Sequence, residues 1–597
     1  MKITKEIQTK FTKLGINSWS ELALILPHEY DDLRLQDTLQ VQKTQVIDAT
    51  VESIFRAPNS IQITFFAHNF GYTVTGVLFR PKPYMMHQYV VGSRDYYFGS
   101  IECKSGHCSM SMPKKITTIG SLTPKYKSAL RNDAMVRFTQ KYLTQENLLE
   151  EGLPLKVIEE VLKVHNPTDT FLENVEMTAE LLRALKYIEL HVYMKILAGK
   201  RRYFEASKSK VCRYKKWAKS LPFTLTKEQI KAIEDIQKDF KKDVASKRMI
   251  VGDVGSGKTM VILASVEMMT PQKSILMAPT TILAKQLFEE AQLHLPHVKS
   301  VLVTNKTKKV DLSTFDFIIG THALLYRELP HADLVMVDEQ HRFGTKQRNM
   351  LEKLVSDGET RPHFLQFSAT PIPRTQAMIE TANIDVSLIT TTPFKKDIDS
   401  KVIHKNDFPD LLINIKEEIK KGNQVLLVYP LVEQSEVIEY QSIEEARGYW
   451  EKNFDNVYVT HGKDKEKEQV LIDFREKGNI LIATTVVEVG ISLPRLTTVV
   501  MVGAERLGLS TLHQLRGRVS RTGLKGYCFL YTNQNKSNRL EEFVETKSGF
   551  DIANLDLKYR KSGDLLKGHA QSGSQFKWID LSEDEAIVKQ VKQDLEI

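Results

Sequence analysis

The chain has 597 residues, of which 42% are hydrophobic and 26% charged, proportions that exclude a disordered chain and predict about four domains rather than one core. Its 83 Lys and Arg against 74 Asp and Glu give a net charge of +9, mild for the size and at most favourable to an anionic partner. The N-terminus MKITKEIQTK carries no apolar signal stretch, and no window reaches the roughly 18 consecutive apolar residues of a spanning helix, so a cytoplasmic protein away from membranes is expected.

Residues 1–44 read as a helical lead-in, with Leu14, Trp19, Leu22 and Leu26 at near-helical spacing before Pro27. From 45 to 120 the period shortens. VIDATVESIF, SIQITFFAH, TVTGVLF, RDYYFGSIECK and HCSMSM are rich in β-branched and aromatic residues and separated by turn signals, which predicts a small antiparallel barrel of the OB type. Four cysteines (Cys103, Cys108, Cys212 and Cys528) are too few for a disulfide framework and suggest a reducing compartment. Cys103 and Cys108 enclose KSGH; a zinc site built on them with His107 lacks a second pair of ligands, so a hairpin turn is the better expectation.

Residues 121–215 read as a helical connector whose last apolar stripe ends in Lys200, Arg201 and Arg202. After LPFTLT the pattern alternates strand and helix. RMIVGDVG, SILMAP, FDFIIGT, LVMVDE and HFLQFSAT (within 216–392) are apolar runs without strict alternation, as in parallel strands covered on both faces. QVLLVYPL, VYVTHG, NILIATT, TTVVMVGAE and GYCFLYT form a second series within 393–545. The fold class is therefore α/β, with two tandem parallel-sheet lobes. In the tail, 546–597, the stretch SGDLLKGHAQSGS is too rich in Gly and Ser for a core element, and a final helix is expected from Ser582.

GDVGSGKT at 252–259 satisfies GxxxxGK[ST] and lies between the strand RMIV and the helical run MVILASVEMM. Gly252, Gly255 and Gly257 let backbone amides turn toward phosphate oxygens, Lys258 reaches the β and γ phosphates, and the Thr259 hydroxyl can ligate Mg²⁺. LVMVDEQH ends a second strand in two acids, Asp338 for the Mg²⁺ shell and Glu339 to polarise the attacking water. In HQLRGRVSR, Arg518 and Arg521 lie three apart on one face and are candidates for the cation that meets γ-phosphate charge. An arginine supplied by the second lobe would couple hydrolysis to opening and closing of the lobes.

In order along the chain, LPFTLTKEQ, GDVGSGKT, APTTILAKQ, GTHALL, DEQHRFG, FSATPIPRT, THGKDKEKE, ATTVVEVGISLP and AERLGLSTLHQLRGRVSR resemble the motifs of superfamily 2 helicases. DEQHRFG, SATPIPRT and the stretch through LHQLRGRV are similar to those of the RecG family of branched-DNA translocases and of the transcription-repair coupling factor. The resemblance implies RecA-like lobes behind an OB-type wedge domain, with ATP and Mg²⁺ as cofactors. It further implies a monomer acting on branched double-stranded DNA, that is forks and Holliday junctions, with a single-stranded DNA-binding protein as a further partner.

The resemblance also distributes roles. Gln229 would read the adenine; Thr280, Thr321, His322, Thr484 and Thr485 would touch the strand or phosphates; Ser368 and Thr370 would link the ATP site to DNA. Gln340, His341 and Gln514 would bridge the lobes, and Glu488 and Gly490 would face the nucleotide from the second. LFRPKPYMM resembles the wedge segment whose aromatics stack on parted bases, here Phe79 and Tyr84, with one residue more between them than usual. The segment from ETKSGFD resembles the family's hook, with Arg560 and Gln571 in place, Asp564 for a glutamate and Ala570 for an arginine; in the arginine segment Ser520 replaces a glycine. A translocase that displaces RNA polymerase, or an RNA helicase, would share the ATPase motifs, but no segment reads as a polymerase-binding module.

Overall fold

Two short helices lead into strands that alternate buried and half-exposed side chains, and strands with continuous buried runs follow in the second half of the chain. The computed structural model describes residues 4–80, 82, 87–104, 107–168, 177–201, 203–206, 213–308, 310–356, 359–369, 373–393, 396–431, 440–462, 464, 466–484, 493–520, 523–567 and 576–596, without the side chains of 341, 345, 374 and 560–567. Two units divide the chain, one made of Met1–Lys195 with Phe576–Ile579 and Gln593–Glu596, the other of Ile196–Gln575 with Asp580–Lys592 and Ile597.

In the first unit the lead-in is two helices rather than one. Lys5–Leu14 stops at Gly15, whose φ of 71° is the left-handed conformation that glycine adopts without strain, and Ser18 caps Trp19–Ala23 by accepting from the Glu21 amide. Trp19 packs edge-on to Phe11 at 4.8 Å and stacks on Tyr142 at 5.5 Å, so the apolar spacing across Gly15 reflects core packing shared by separate elements. Strand β1 (Glu29–Asp32) pairs antiparallel with β7 (Leu122–Lys125), a small ribbon that the sequence pattern did not predict.

The five expected strands are present. β2 (Thr44–Ala57), β3 (Ser60–Ala67), β4 (Tyr72–Phe79), β5 (Arg94–Lys104) and β6 (His107–Ile116) close a barrel in the order β2-β3-β4-β6-β5 around Ile47, Val51, Phe65, Tyr97 and Met110. Cys103 and Cys108 face each other in the β5–β6 register and are joined in a disulfide. The thiols expected of a hairpin in a reducing compartment are thus a cross-strand bridge, because antiparallel pairing brings their β-carbons together.

In the second unit both sheets are parallel throughout. β8 (Lys247–Gly252), β9 (Ser274–Met277), β10 (Ser300–Val303), β11 (Phe317–Gly320), β12 (Leu334–Val337), β13 (His363–Ser368) and β14 (Asp385–Ile389) form the order β10-β11-β9-β12-β13-β8-β14. β15 (Ile398–Ile403), β16 (Gln424–Val428), β17 (Val457–Thr460), β18 (Ile480–Ala483), β19 (Leu496–Val502) and β20 (Gly526–Tyr531) form the order β15-β20-β19-β16-β18-β17. The central strands are fully buried, as the unbroken apolar runs require. β10, β14 and β15, absent from the sequence expectation, are edge strands whose half-exposed residues dilute that signal.

The tail is also more regular than its composition suggests. A helix of 19 residues, Gly549–Lys567, runs into the Gly- and Ser-rich stretch. It is anchored at its start, where Phe550 packs on Met249 and Val251 of the first sheet and Ile552 joins the core of the second. The final helix is Glu585–Asp594.

Buried His165 ties the first unit together: its Nε2 faces the Ala23 carbonyl at 3.0 Å and its Nδ1 the Tyr126 hydroxyl at 2.9 Å. A carbonyl only accepts, so Nε2 carries the proton and Nδ1 accepts from tyrosine. Burial pushes this imidazole down from 6.5 to about 4, against the smaller opposing effect of the Ala23 bond. The folded-state value lies below the unfolded one, so folding stability is lost as pH falls from about 6.5 toward 4. Urea unfolding of the full chain at pH 7.5 and 5, read by pulsed hydrogen exchange in Lys5–Leu14, should show that loss, and His165→Gln should shrink it.

Candidate active site

β8 delivers Gly252 to a loop in which Gly255 (φ 83°) and Gly257 (φ 77°) hold the left-handed conformation, and the helix Lys258–Met269 starts at once. A β-carbon at Gly257 would collide with Gln229 Nε2. That amide donates to the Ser256 carbonyl at 2.8 Å, while Gln229 Oε1 accepts from the Thr226 amide at 2.8 Å and completes a capping box. The glutamine therefore braces the phosphate loop through its backbone. Lys258 Nζ donates to the carbonyls of Gly252 (2.8 Å) and Asp253 (3.1 Å), and Thr259 lies half-buried on the first helical turn.

β12 ends beside this loop in the paired acids. Asp338 is buried, and its backbone N–H donates to the Met277 carbonyl at 3.0 Å. Burial first, then the adjacent Glu339 carboxylate, push Asp338 up from 3.8 to about 7, although Lys258 pulls the other way. Glu339 has a φ of 49°, and its Oε2 accepts from the Ala369 amide at 3.1 Å, one residue beyond buried Ser368 at the end of β13. A carboxylate pair this poorly solvated favours a divalent cation, and Thr259 and Asp338 are the ligands that would hold Mg²⁺ beside phosphate oxygens.

Other expected residues are distributed around the sheet ends. Thr280 and Thr321 cap the segments that follow β9 and β11, accepting from the amides of Leu283 (3.2 Å) and Ala323 (3.4 Å). His322 is exposed, and Thr484 is half-buried just past β18. Gln340 reaches Met249 Sδ at 2.8 Å and accepts from Arg348 Nη1 at 2.9 Å, both in the first lobe, whereas Gln514 is buried in the helix Leu509–Arg516 of the second. The His341 side chain and that of Arg560, on the helix Gly549–Lys567, lie outside the described residues, as do Tyr84, Thr370, Thr485, Glu488, Gly490, Arg521 and Gln571. Phe79 ends β4 with 58% of its surface exposed.

The second lobe meets the phosphate loop at Gly517. A β-carbon there would stand 2.7 Å from Val254 Cγ1, a distance no side chain tolerates. Lys396 Nζ closes the same joint by donating to the carbonyls of Val254 (2.9 Å) and Gly517 (3.1 Å). Arg518 is the next residue, half-buried. Two further groups at this joint carry no local sequence signal, Lys396 and Asp253 with its partner His513; within the first lobe the Glu228 carboxylate accepts from the amides of Thr390 (2.6 Å) and Thr391 (2.7 Å) after β14.

The sequence is 44% identical to the ATP-dependent DNA helicase RecG of Helicobacter pylori strain J99, over 97% of this chain and 96% of that one. The chain belongs to the RecG family. RecG of Streptococcus pneumoniae is 33% identical over 98% of this chain and 92% of its own, and that of Bacillus subtilis 31% over 99% and 93%. Residues 226–379 match the DEAD/DEAH box helicase family and 405–523 the helicase conserved C-terminal domain. A solved structure of RecG bound to a three-way DNA junction is similar over 100% of this chain and 84% of that one, with a TM-score of 0.57 and 25% identity. The RecG resemblance and the two parallel-sheet lobes preceded in the chain by a barrel thus agree with the comparisons.

The raised Asp338 gives this RecG-family site a pH signature. Its folded-state value exceeds the unfolded one, so ionising it costs stability as pH rises from about 4 to 7. Asp338→Asn should raise the melting temperature of the nucleotide-free protein at pH 8, with the gain narrowing toward pH 4, while ATP turnover is lost; differential scanning fluorimetry and a phosphate-release assay check both.

Proposed function

We propose that the chain is an ATP-dependent helicase that translocates on duplex DNA and remodels branched DNA, reversing forks and migrating four-way junctions. The observation that carries this reading is the joint of Gly517 and Lys396 on Val254, which sets an arginine turn of one lobe against the phosphate loop of the other. The family's DNA helicases support the nucleic acid, and the junction-bound RecG relative supports the branch.

Hydrolysis in this reading is attack of water on the γ-phosphorus with departure of the β-phosphate oxygen. Bound Mg²⁺ would supply Lewis-acid charge to the phosphates, held by Thr259 and Asp338. Glu339 orients the water and draws its proton, with the Ala369 amide fixing one carboxylate oxygen. Lys258 leaves its two carbonyl partners for the β and γ phosphates. Arg518 and Arg521 meet the charge that develops on the γ-phosphoryl group, a contribution of about 10³ to 10⁵ in rate for such arginines.

Because that charge comes from the opposite lobe, turnover is tied to lobe closure. Thr280, Thr321, His322, Thr484 and Thr485 would follow the strand, Ser368 and Thr370 would relay closure, and the segment with Arg560 and Gln571 would move duplex. The barrel, 45–120, would part strands with Phe79 and Tyr84 stacked on bases, at about 1–3 kcal/mol per base. The helical connector, 121–215, joins it to lobes at 216–392 and 393–545, and the hook occupies 546–597. The finer reading is a cytoplasmic monomer that meets single-stranded DNA-binding protein on the parted strands.

Lys258→Ala should abolish DNA-stimulated phosphate release while leaving four-way-junction binding within about threefold, measured by electrophoretic shift at stated salt because phosphate contacts are ionic-strength dependent. Residual stimulated turnover in that variant would contradict the assignment. Phe79→Ala should lower fork unwinding several-fold with ATPase nearly unchanged; equal losses in both assays would indicate misfolding instead.

A further inference from the structure

One carboxylate at the lobe joint has no role in the chemistry just described. Asp253 follows Gly252 in the phosphate loop and is buried, yet both of its oxygens accept from groups far along the chain. Oδ1 accepts from His513 Nε2 at 2.5 Å, on the helix that ends at Arg516, and Oδ2 from the Gly549 amide at 2.9 Å, at the first residue of the helix Gly549–Lys567.

The donors fix the protonation pattern. Arg516 Nη2 lies 3.2 Å from His513 Nδ1, and a guanidinium only donates, so Nδ1 accepts and the ring proton sits on Nε2, pointing at Asp253. Arg516 in turn donates to the carbonyls of Phe543 (3.1 Å) and Thr546 (2.8 Å) and lies over the Phe543 ring at 4.3 Å. A continuous hydrogen-bonded line thus runs from the phosphate loop through His513 and Arg516 to the residues before Gly549, and the Gly549 amide returns it to Asp253. Burial alone would push Asp253 up, but the His513 bond and the amides of Gly549 and Val254 hold it down at about 2. The helix that begins there has Phe550 on the first sheet and Ile552 in the core of the second.

We infer that Asp253 is a positioning residue, whose carboxylate registers the arginine-bearing helix and the first turn of the C-terminal helix against the phosphate loop. The inference rests on the reading of this cleft as an ATPase site and deepens it: one side chain links the loop that binds phosphate to the helix that ends two residues before Arg518 and to the segment assigned to moving duplex. Because both oxygens face protein donors, the carboxylate serves the closed geometry rather than nucleotide affinity. An amide in its place presents a donor to a donor on one side, either His513 Nε2–H or Gly549 N–H, and must break one link.

The test is steady-state ATPase of the full chain with saturating forked DNA, across ATP concentrations. Asp253→Asn should lower kcat about 10-fold or more with KM for ATP within about threefold, because registry of the transition-state charge is lost while the phosphate cradle stays. His513→Leu should match it, His513→Gln should recover most of kcat because its amide still donates to Asp253, and the losses in the Asp253→Asn/His513→Leu pair should not multiply. Hydrogen exchange should quicken around Gly549 in the defective variants. Unchanged kcat in Asp253→Asn, a rise in KM equal to the fall in kcat, or multiplying losses would overturn the inference. If Asp253→Asn does not fold, the contrast between His513→Leu and His513→Gln decides alone, equal defects counting against it. A wild-type chain without DNA-stimulated ATPase would instead defeat the functional reading, which sets the two failures apart.

Discussion

The proposed chemistry depends on one constraint, that positive charge from one sheet meets a phosphate loop built on the other. A loop of backbone amides and one lysine can bind a triphosphate, but the charge that develops during transfer requires a further cation placed with little freedom. Gly517 against Val254, with Lys396 spanning both carbonyls, joins the turn before Arg518 to the phosphate loop by contact rather than by long-range attraction. Both sheets are parallel, so each gathers its loops at the carboxyl ends of its strands, which is where ligand sites in such sheets form.

Much of this was legible in the sequence for a physical reason. The phosphate loop needs glycines at positions that turn the backbone left-handed and a lysine at a fixed offset, so its chemistry is written in consecutive residues. The paired acids at the end of β12 are local in the same sense. The barrel strands announced themselves through β-branched and aromatic runs between turn signals, and the inner strands of both lobes through unbroken apolar runs. What stayed hidden is either weakly patterned or long-range. β10, β14 and β15 lie at sheet edges, where half-exposed residues look like loops. The disulfide depended on register between strands, and the helix Gly549–Lys567 on anchors in two separate cores that outweigh its Gly and Ser content. Asp253 and His513 stand 260 residues apart, and nothing in either neighbourhood marks them as partners.

Gln340 illustrates how position in a motif differs from contact. It stands in a stretch whose resemblance suggests a bridge between lobes, but its amide is engaged by Met249 and Arg348 of its own lobe. Gln229, by contrast, is drawn to the phosphate loop by a capping box that any helix start could contain, and acquires its significance from the missing side chain at Gly257.

The strand that leads out of the first lobe has a mechanical consequence. β14 lies hydrogen-bonded beside β8, and the chain leaving it is pinned by Glu228, the neighbour of Gln229, before it crosses to β15. That crossing lies at one edge of the second sheet, beside β15, while the rim at β17 is its opposite edge. Were the second sheet to turn about that point, slight travel at the loop would become a wide sweep at that rim, a gear ratio set by where a single strand joins its sheet.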